Sequence, residues 1–532
     1  MKITANRTWI FLLFLMIAAG NIFIYFPSFS HMPRADHLFY LADMAYKQDW
    51  VSLAIQSFDW SRSRTFAPGD YLIFRPGAYF LMGSEKFFFG YNFVLWQVTG
   101  LVMHLIIIGM LLRLLLNIGS SLFAVMMAGY FSFLFMNMET VVWHAINSIL
   151  LAMMMTLMSL NQIWLYQKGK CRETHRLMIA SAGMTVAALT YEISVVLSGL
   201  FFVYLFLTVP WKGQGRWRSL WLLIPPAIFT VTSAYNYVAL GYHRLHPVKG
   251  AGLPDLVQIV KNTFLTMGWW IYSAFFPGKY EIIHVLGRAE LANRQDIFPA
   301  MGLGEWQLWL GTLFVLCWGL LAVRSGTWEF IKKRLGFLAL LLGMALGWAA
   351  VISSARVQER GVAFALGGTV TYHYIIWCFL VVFMYSAVNF EALPSDRLTR
   401  AIKCAFIILI VGQMLHNGRL VYSMNRRISQ WYAPSRELVK AVESMIMREG
   451  DQPGFSFYID YDFPGNFLYP YRLREQDPIT KRYSFAEMIY LNYFDDENPM
   501  FVFVSARHDG TPRIIRMNQE KRRGGSPLPL NQ

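Results

Sequence analysis

The chain carries little charge for its length. Asp, Glu, Lys and Arg make up 15% of its 532 residues, whereas a soluble domain carries about 25%. Its hydrophobic content is 56% and includes several long apolar runs. This composition excludes an ordinary soluble enzyme and predicts an α-helical polytopic membrane protein.

Cysteine is also scarce. Cys171 lies in a basic loop, and Cys317, Cys378 and Cys404 lie inside apolar runs. Their spacing fits no zinc site, and no pair lies in an outward loop, so the sequence predicts neither a structural metal nor a disulfide. The chain shows no repeat at a solenoid period. The outward loops carry no Asn-x-Ser/Thr site, which favours a bacterial inner membrane over a eukaryotic lumen.

The apolar runs predict eleven transmembrane spans. The first run could be a signal peptide, but it is longer than the usual apolar core and no small-x-small site follows it, so it is interpreted as an uncleaved anchor. Some runs are shorter than the roughly 20 residues expected of a span. The predicted spans are about 9–26, 92–112, 121–137, 141–166, 177–190, 191–208, 220–240, 305–323, 337–354, 371–388 and 403–417.

The formal net charge of +15 lies largely in short loops between these spans. Lys and Arg in such loops mark the cytoplasmic side, so we expect membrane lipids and no nucleic acid as partners. All the basic loops fall on the cytoplasmic side, at alternate span ends, if residues 262–276 do not cross the membrane. That segment is predicted to be re-entrant or interfacial, with an aromatic content that suits the headgroup region.

The predicted organisation has two parts. Residues 1–417 form the transmembrane domain, whose first outer loop covers residues 28–91. Residues 418–532 form a small extracytoplasmic α/β domain, with a helix in "SRELVKAVESMIM", strands in "GFSFYIDY" and "MFVFVSA", and a disordered basic tail.

Several ionisable residues fall near the predicted outer face. Because ionisable groups at membrane depth are costly, such a set predicts a polar, outward-facing site. The alternative is that outer loops simply contain charges, notably in "SSARVQERG". The residues are Asp36, Asp43, Glu139, His144, Glu192, Arg356, Glu359, Arg360 and His373.

Asp36 follows the first span closely. A helix from about Ala35 would place Asp36, Tyr40 and Asp43 on one face. One carboxylate there could accept the proton of an acceptor hydroxyl, and two could bind a divalent ion, although this spacing alone is weak evidence for a metal. The alternative role of Asp36 is a helix cap.

Arg75 precedes Pro76, which disfavours helical backbone at the arginine. A guanidinium fixed there could bind a phosphate bidentately; the alternative is an interfacial arginine whose stem lies among lipid tails. Glu192 follows Tyr191 in a tight turn between two spans. Glu139 has the alternative role of a first-turn acid, and His104 is interpreted as a hydrogen-bonded packing residue.

Three segments together resemble the GT-C superfamily of polytopic glycosyltransferases, especially the branch with protein O-mannosyltransferases and aminoarabinose transferases. The first is the early acid in "PRADHLFYLAD". The second is the Arg-Pro motif and apolar turn in "FRPGAYFLMGSEKFFFGYNFVLWQVTGLVMH". The third is the acid in "LTYEISVVLSGLFF". A fainter similarity lies in "TYHYIIW".

The resemblance implies transfer of a sugar from a polyprenyl-phosphate carrier to a glycan, lipid or protein acceptor on the outer, periplasmic face. It implies Asp36 as the general base, Arg75 as the carrier-phosphate ligand and Glu192 as a site-lining acid. Tyr191 stands where the family often has Lys, and His373 where it often has Arg. The first outer loop has no adjacent Asp-Glu pair, which disfavours protein O-mannosylation. No tetratricopeptide array follows, which disfavours the branch of transmembrane-TPR mannosyltransferases.

Three other functions compete with this interpretation. An O-antigen polymerase or ligase would have large Arg-rich outer loops and would lack an early acid followed by Arg-Pro. A transporter or flippase of lipid-linked sugars would have charges deep within spans or interrupted repeated helices. A non-catalytic assembly protein would use the C-terminal domain for interaction.

Overall fold

The computed structural model describes most of the predicted membrane domain and three strands beyond it. The described residues are 7–31, 75–89, 92–119, 121–168, 174–209, 217–239, seven positions between 257 and 267, 305–325, 328–352, 370–390, 392–431, 458–459, 502–506 and 512–516.

Helices dominate the described part of the chain because its sequence consists of long apolar runs with few breakers. The α-helices are α1 Arg7–Tyr25, α2 Pro76–Phe89, α3 Phe93–Ile118, α4 Ser121–Phe133, α5 Met138–Val142, α6 Asn147–Gln167, α7 Thr174–Thr190, α8 Ser194–Thr208, α9 Ile224–Ala239, α10 Glu305–Ser325, α11 Trp328–Ile352, α12 Val370–Ala387 and α13 Arg397–Trp431. Short 3-10 helices cover Phe26–Ser30, Phe135–Asn137, His144–Ile146 and Trp217–Leu223.

Each predicted span coincides with helical structure, which confirms a helical protein of the membrane type. Five described helices are long and apolar enough to cross a membrane: Thr8–Ser30, Phe93–Ile118, Asn147–Gln167, Lys332–Ala350 and Arg397–Gln430. A bent pair, Leu122–Phe133 with Phe135–Val142 at 57°, makes a sixth candidate. Three more apolar helices are shorter: Ser194–Thr208, Thr312–Ser325 and Tyr374–Ala387. The total of eleven crossings stays a prediction.

Two sets of polar contacts mark the opposite ends of α3 and of the helix bundle around it. At the first residues of α3, Gln97 contacts His144. At the last residues of the same helix, the carbonyl of Ile118 accepts a bond from Arg334. A 26-residue helix is about 39 Å long, so these two ends lie far apart. We call them the Gln97 end and the Arg334 end.

The Arg334 end contains the basic segments predicted to be cytoplasmic. Arg334 donates to the carbonyls of Ile118 and Ser386, each at 3.1 Å. Arg324 forms an ion pair with Asp396 at 3.1 Å. The contacts therefore agree with the alternating directions that the basic loops predict, and the side of the membrane that each end faces stays a prediction.

A buried polar cluster around His104 lies in the core between the two ends. His104 lies in α3 with no exposed surface; its Nδ1 is 2.7 Å from the Tyr374 hydroxyl and its Nε2 is 3.3 Å from the Ser132 carbonyl. Because a carbonyl oxygen only accepts, Nε2 is the donor nitrogen in this arrangement. The interpretation of His104 as a hydrogen-bonded packing residue is confirmed.

The helix break after α4 is supported by a side chain from the last helix. The chain leaves α4 at Phe133 and turns through the bent segment that contains Glu139. The backbone N–H of Phe135 donates to the Asn417 side-chain oxygen at 3.1 Å. Irregular backbone at membrane depth needs such partners, since lipid provides none.

The last described elements form a small sheet. Strand β1 Tyr458–Ile459 pairs in parallel with β2 Val502–Ala506, which pairs antiparallel with β3 Pro512–Arg516. The first two lie in the segments whose composition predicts strands. Helix α13 continues to Trp431, past residue 417, where the sequence predicts the membrane domain to end. The predicted helix in 435–447 lies outside the described residues, and the C-terminal domain stays a prediction.

Candidate functional site

The central feature of the Gln97 end is an ion pair between two predicted site residues. Arg75 stands immediately before Pro76, the first residue of α2, and Glu192 lies in the turn between α7 and α8. Arg75 Nε donates to Glu192 Oε2 at 2.5 Å and Nη2 donates to Oε1 at 2.6 Å. This is the fork-to-fork geometry of a bidentate pair, which fixes the guanidinium plane.

The pair remains partly accessible. The side chain of Arg75 is 20% exposed and that of Glu192 is 35% exposed. Solvent therefore reaches both groups, and the pair contributes less to stability than a buried one would. A charged ligand could approach this position without the protein unfolding around it.

Two stacked aromatic side chains support the guanidinium of Arg75. Arg75 Cζ lies 4.0 Å from the centre of the Tyr191 ring, and Tyr191 stacks on Trp348 of α11 with centroids 5.4 Å apart and planes 21° apart. A cation over an aromatic face is stabilised by the ring quadrupole. Tyr191, noted in the sequence as a departure from the resembled family, therefore holds Arg75, whereas a lysine here would repel it.

Local sequence explains how these residues reach each other. The Arg75 carbonyl accepts from the backbone N–H groups of Ala78 and Tyr79 at 3.0 and 3.2 Å, so Arg75 caps the start of α2. Gly77 lets α2 approach α7: a Cβ at this position would lie 3.1 Å from Thr190 Cα and 3.2 Å from the Leu189 carbonyl oxygen. Thr190 ends α7 directly before Tyr191 and Glu192, so this close approach brings the pair together.

A second polar cluster lies deeper at the same end. Glu85 of α2 is 4% exposed, and its Oε1 accepts from Asn147 Nδ2 at 2.9 Å. Gln97 Nε2 donates to the Val142 carbonyl at 3.2 Å and contacts His144 Nε2 at 2.9 Å. Burial raises the pKa of Glu85 to about 8, and the bond from Asn147 opposes this rise.

The sequence prediction missed Glu85, Gln97 and Asn147 as site residues. The usable signal for Glu85 was an acid within the Ser84–Lys86 polar triplet of a mostly apolar stretch, since an acid in such a position is costly unless it is paired. Gln97 and Asn147 gave no comparable signal, because uncharged amides are common in helices and their partner is visible only in three dimensions.

The structure places the remaining predicted residues unequally. Glu139 lies in the first turn of α5 and is 8% exposed, and His144 is 2% exposed. Both are buried at the Gln97 end, so neither side chain presents an open surface, and their role in substrate binding stays a prediction. His373 lies in the first turn of α12. Asp36, Asp43, Arg356, Glu359 and Arg360, and most of residues 262–276, lie outside the described residues.

A metal site needs several ligating side chains close together. The described ranges contain no group of three or more His, Cys, Asp or Glu side chains that could hold a metal ion. Asp36 and Asp43, whose spacing suggested a divalent-ion site in the sequence, lie outside these ranges.

No protein-family model and no curated protein sequence matches the chain. Among solved structures, the chain is similar to an archaeal oligosaccharyltransferase, AglB from Archaeoglobus fulgidus in complex with an inhibitory peptide and a dolichol-phosphate. The identity is 13%, the TM-score is 0.43, and the match covers 84% of this chain and 58% of that chain. An Archaeoglobus fulgidus oligosaccharyltransferase tethered with an acceptor peptide via a disulfide bond matches with 14% identity and a TM-score of 0.42, over 87% of this chain and 60% of that chain. The chain thus spans about three fifths of the length of these structures.

Proposed function

We propose that this protein is a GT-C type glycosyltransferase (EC 2.4 class) that uses a polyprenyl-phosphate-linked sugar. It transfers the sugar to an envelope glycan, lipid or protein acceptor on the outer face of the membrane. The observation that carries the proposal is the bidentate, aromatic-supported Arg75 at the Gln97 end, opposite the basic end. The polyprenyl-phosphate-linked sugar is the donor, and a divalent ion bound by Asp36 and Asp43 stays an open alternative.

The donor requires two features in one place. A polyprenyl chain needs apolar helices facing lipid, and its phosphate needs a fixed cation at the edge of the apolar region. Arg75 provides the cation, since a guanidinium matches phosphate oxygens bidentately and keeps its charge at all relevant pH values. Glu192 and Tyr191 fix its orientation before donor binds, which lowers the cost of binding.

The acceptor side of the reaction is assigned to the first outer loop. Two residues of this loop are bound at the Gln97 end: His31 Nε2 lies 2.9 Å from the Asn425 carbonyl, and Arg75 pairs with Glu192. Asp36 belongs to the same loop and follows His31 by five positions in the sequence. In this proposal the Asp36 carboxylate acts as the general base.

The proposed reaction is a single inverting displacement. The acceptor hydroxyl attacks the anomeric carbon, and its proton passes to the Asp36 carboxylate as the new C–O bond forms. The bond between the anomeric carbon and the phosphate oxygen breaks, and its electron pair leaves with the carrier phosphate. The leaving group is already activated, so no general acid is required. Attack from the face opposite the phosphate inverts the anomeric centre.

The test compares envelope glycans from cells with the wild-type protein, without it, and with Asp36→Asn. Asparagine keeps the size and most capping ability of aspartate, whereas loss of a general base lowers transfer by about 10² to 10⁴-fold. We expect mass spectrometry to show one sugar missing in the deletion and in Asp36→Asn at normal protein levels. The matched comparison is Asp43→Asn, whose loss of transfer should be milder than that of Asp36→Asn unless a metal bridges the two residues.

Two results would contradict the proposal. Identical glycans with and without the protein would exclude glycosyl transfer to the envelope. If the deletion loses a sugar and Asp36→Asn restores it in full, the protein is still a glycosyltransferase in this proposal. Asp36 is then not its general base. The base would then be sought at Glu139 or Glu192.

A further inference from the structure

Glu85 is a buried acid that the proposed reaction does not use. It lies in α2, ten positions after Arg75, and its side chain is packed between α2 and the start of α6. Helix α2 is not among the helices that are long and apolar enough to cross a membrane. An unpaired carboxylate in such surroundings would cost several kcal/mol, so its chemical state needs an explanation.

The hydrogen bonds of Glu85 and Asn147 suggest that state. Asn147 Nδ2 donates to Glu85 Oε1 at 2.9 Å. Within the described residues, the other oxygen of each group, Glu85 Oε2 and Asn147 Oδ1, is buried without a hydrogen-bond partner. Two acceptors cannot satisfy each other, and each unmatched buried acceptor costs about 1–3 kcal/mol. A proton on Oε2 would let Glu85 donate to Oδ1 and close a ring with both oxygens satisfied.

We propose that Glu85 is a neutral carboxylic acid that forms a doubly hydrogen-bonded pair with Asn147, and that this pair positions Arg75 for the carrier phosphate. The second half rests on the proposed function; the first does not. Burial raises the pKa of Glu85 to about 8, so the neutral form predominates at neutral pH.

The pair can position Arg75 because α2 is short and is fixed near both ends. Near its start, Gly77 lies against Thr190 of α7. About 12 Å further along the helix, by the rise of about 1.5 Å per residue, Glu85 binds Asn147 of α6. Contacts at two heights on two different helices fix both the rotation and the translation of α2. Arg75 directly precedes the first residue of α2, so it moves if either contact is lost.

The described ionisable groups around Glu85 do not replace this partner. His104 is turned toward Tyr374 and Ser132, and Arg176 at the start of α7 binds Gln162 near the far end of α6. His144 contacts Gln97. The ionisable side chains of α2 and of the helices packed against it are Tyr79, Lys86, His104, Arg113, Tyr166, His175 and Arg176.

The test measures binding of a polyprenyl phosphate without sugar to the full-length protein in nanodiscs as pH is raised. If only the neutral form of Glu85 holds Arg75 in place, affinity falls with the neutral fraction, by about tenfold near pH 9. Glu85→Gln provides the same pair without an ionisable group, so it should bind as wild type does at neutral pH and lose the decline. Any decline that remains in Glu85→Gln comes from the titration of other groups, including the phosphate of the probe.

Two further measurements separate this inference from the proposed function. Infrared difference spectra of wild type against Glu85→Gln should show the carbonyl stretch of a protonated carboxyl group at neutral pH, whatever the protein binds. Glu85→Leu keeps the volume but removes both bonds, and should bind the probe about tenfold more weakly.

An infrared signal of an ionised Glu85 at neutral pH would overturn the inference. So would a wild-type decline that Glu85→Gln fully retains, or wild-type affinity in Glu85→Leu. If the probe binds none of these proteins, the proposed function fails, and the infrared result still decides the state of Glu85.

Discussion

Replacing Arg75 and Glu192 singly and together tests whether the pair binds the carrier phosphate or only joins two loops. The residues are 117 positions apart in the chain and meet only in the folded protein. If Arg75 holds the phosphate, its loss weakens donor binding directly. If it serves only to pair with Glu192, either substitution acts through stability alone and the two residues behave alike.

The expected magnitudes follow from the contacts. A hydrogen bond to a charged group is worth about 1.5–3 kcal/mol, so Arg75→Ala should raise the Kd for a polyprenyl phosphate by about 10- to 150-fold. Arg75→Lys keeps the charge but loses the fork and the planar stack on Tyr191, so it should retain part of the affinity.

Glu192→Gln should leave the Kd unchanged or lower it. The carboxylate does not contact the phosphate in the proposed arrangement, and at about 5 Å its repulsion would amount to about 3 kcal/mol at an effective dielectric of about 20, before screening. Glu192→Gln removes this repulsion, and the resulting gain in affinity offsets any loss of affinity caused by a less ordered Arg75. The asymmetry between the two partners is the signature of phosphate binding.

Thermal unfolding in detergent measures the structural part. Because the pair is 20% and 35% exposed, we expect each single substitution to cost about 1 kcal/mol, with a smaller added loss in the double variant. The matched control is Arg324→Ala, which breaks the ion pair with Asp396 at the opposite end and should leave donor binding unchanged.

A Kd that is the same in Arg75→Ala and wild type would refute the reasoning, because Arg75 would then be structural. Equal weakening in Arg75→Ala, Glu192→Gln and Arg324→Ala would also refute it, since it would show a general effect of stability on binding.

Three further predictions concern the scaffold, each checked by thermal unfolding. Tyr374→Phe should destabilise by about 1 kcal/mol because it removes the bond to His104, whereas Tyr130→Phe should be neutral or stabilising, since the Tyr130 hydroxyl has no partner within the described residues; equal losses would contradict this. Gly77→Ala should cost about 1–3 kcal/mol and weaken donor binding through displacement of α2, whereas Gly199→Ala, with nothing within 4 Å, should do neither. Arg334→Ala should cost about 1.5–3 kcal/mol through its two carbonyl bonds, more than the exposed Lys333→Ala that removes the same charge.

Local chemistry was enough to predict most of the helical framework. The apolar runs coincide with helices because a segment in lipid must satisfy its own backbone, which leaves the helix as the default. The turn between α7 and α8 was also predictable, since Tyr191 and Glu192 separate two apolar runs. The non-helical position of Arg75 followed from Pro76, which restricts the residue before it.

Tertiary structure alone decided which groups meet. The partner of Arg75 is Glu192 rather than another outer-face acid because Gly77 lets α2 approach α7, and no local pattern records that approach. The role of Tyr191 depends on Trp348 beneath it, which comes from a distant helix. The state of Glu85 is the clearest case. In the sequence it stands beside Lys86, but the depth of its burial and the amide of Asn147 determine whether it carries a charge. Periodicity and composition specify which residues face the bundle interior, whereas proton affinity and ion pairing depend on distances of a few ångströms between helices that the sequence does not align.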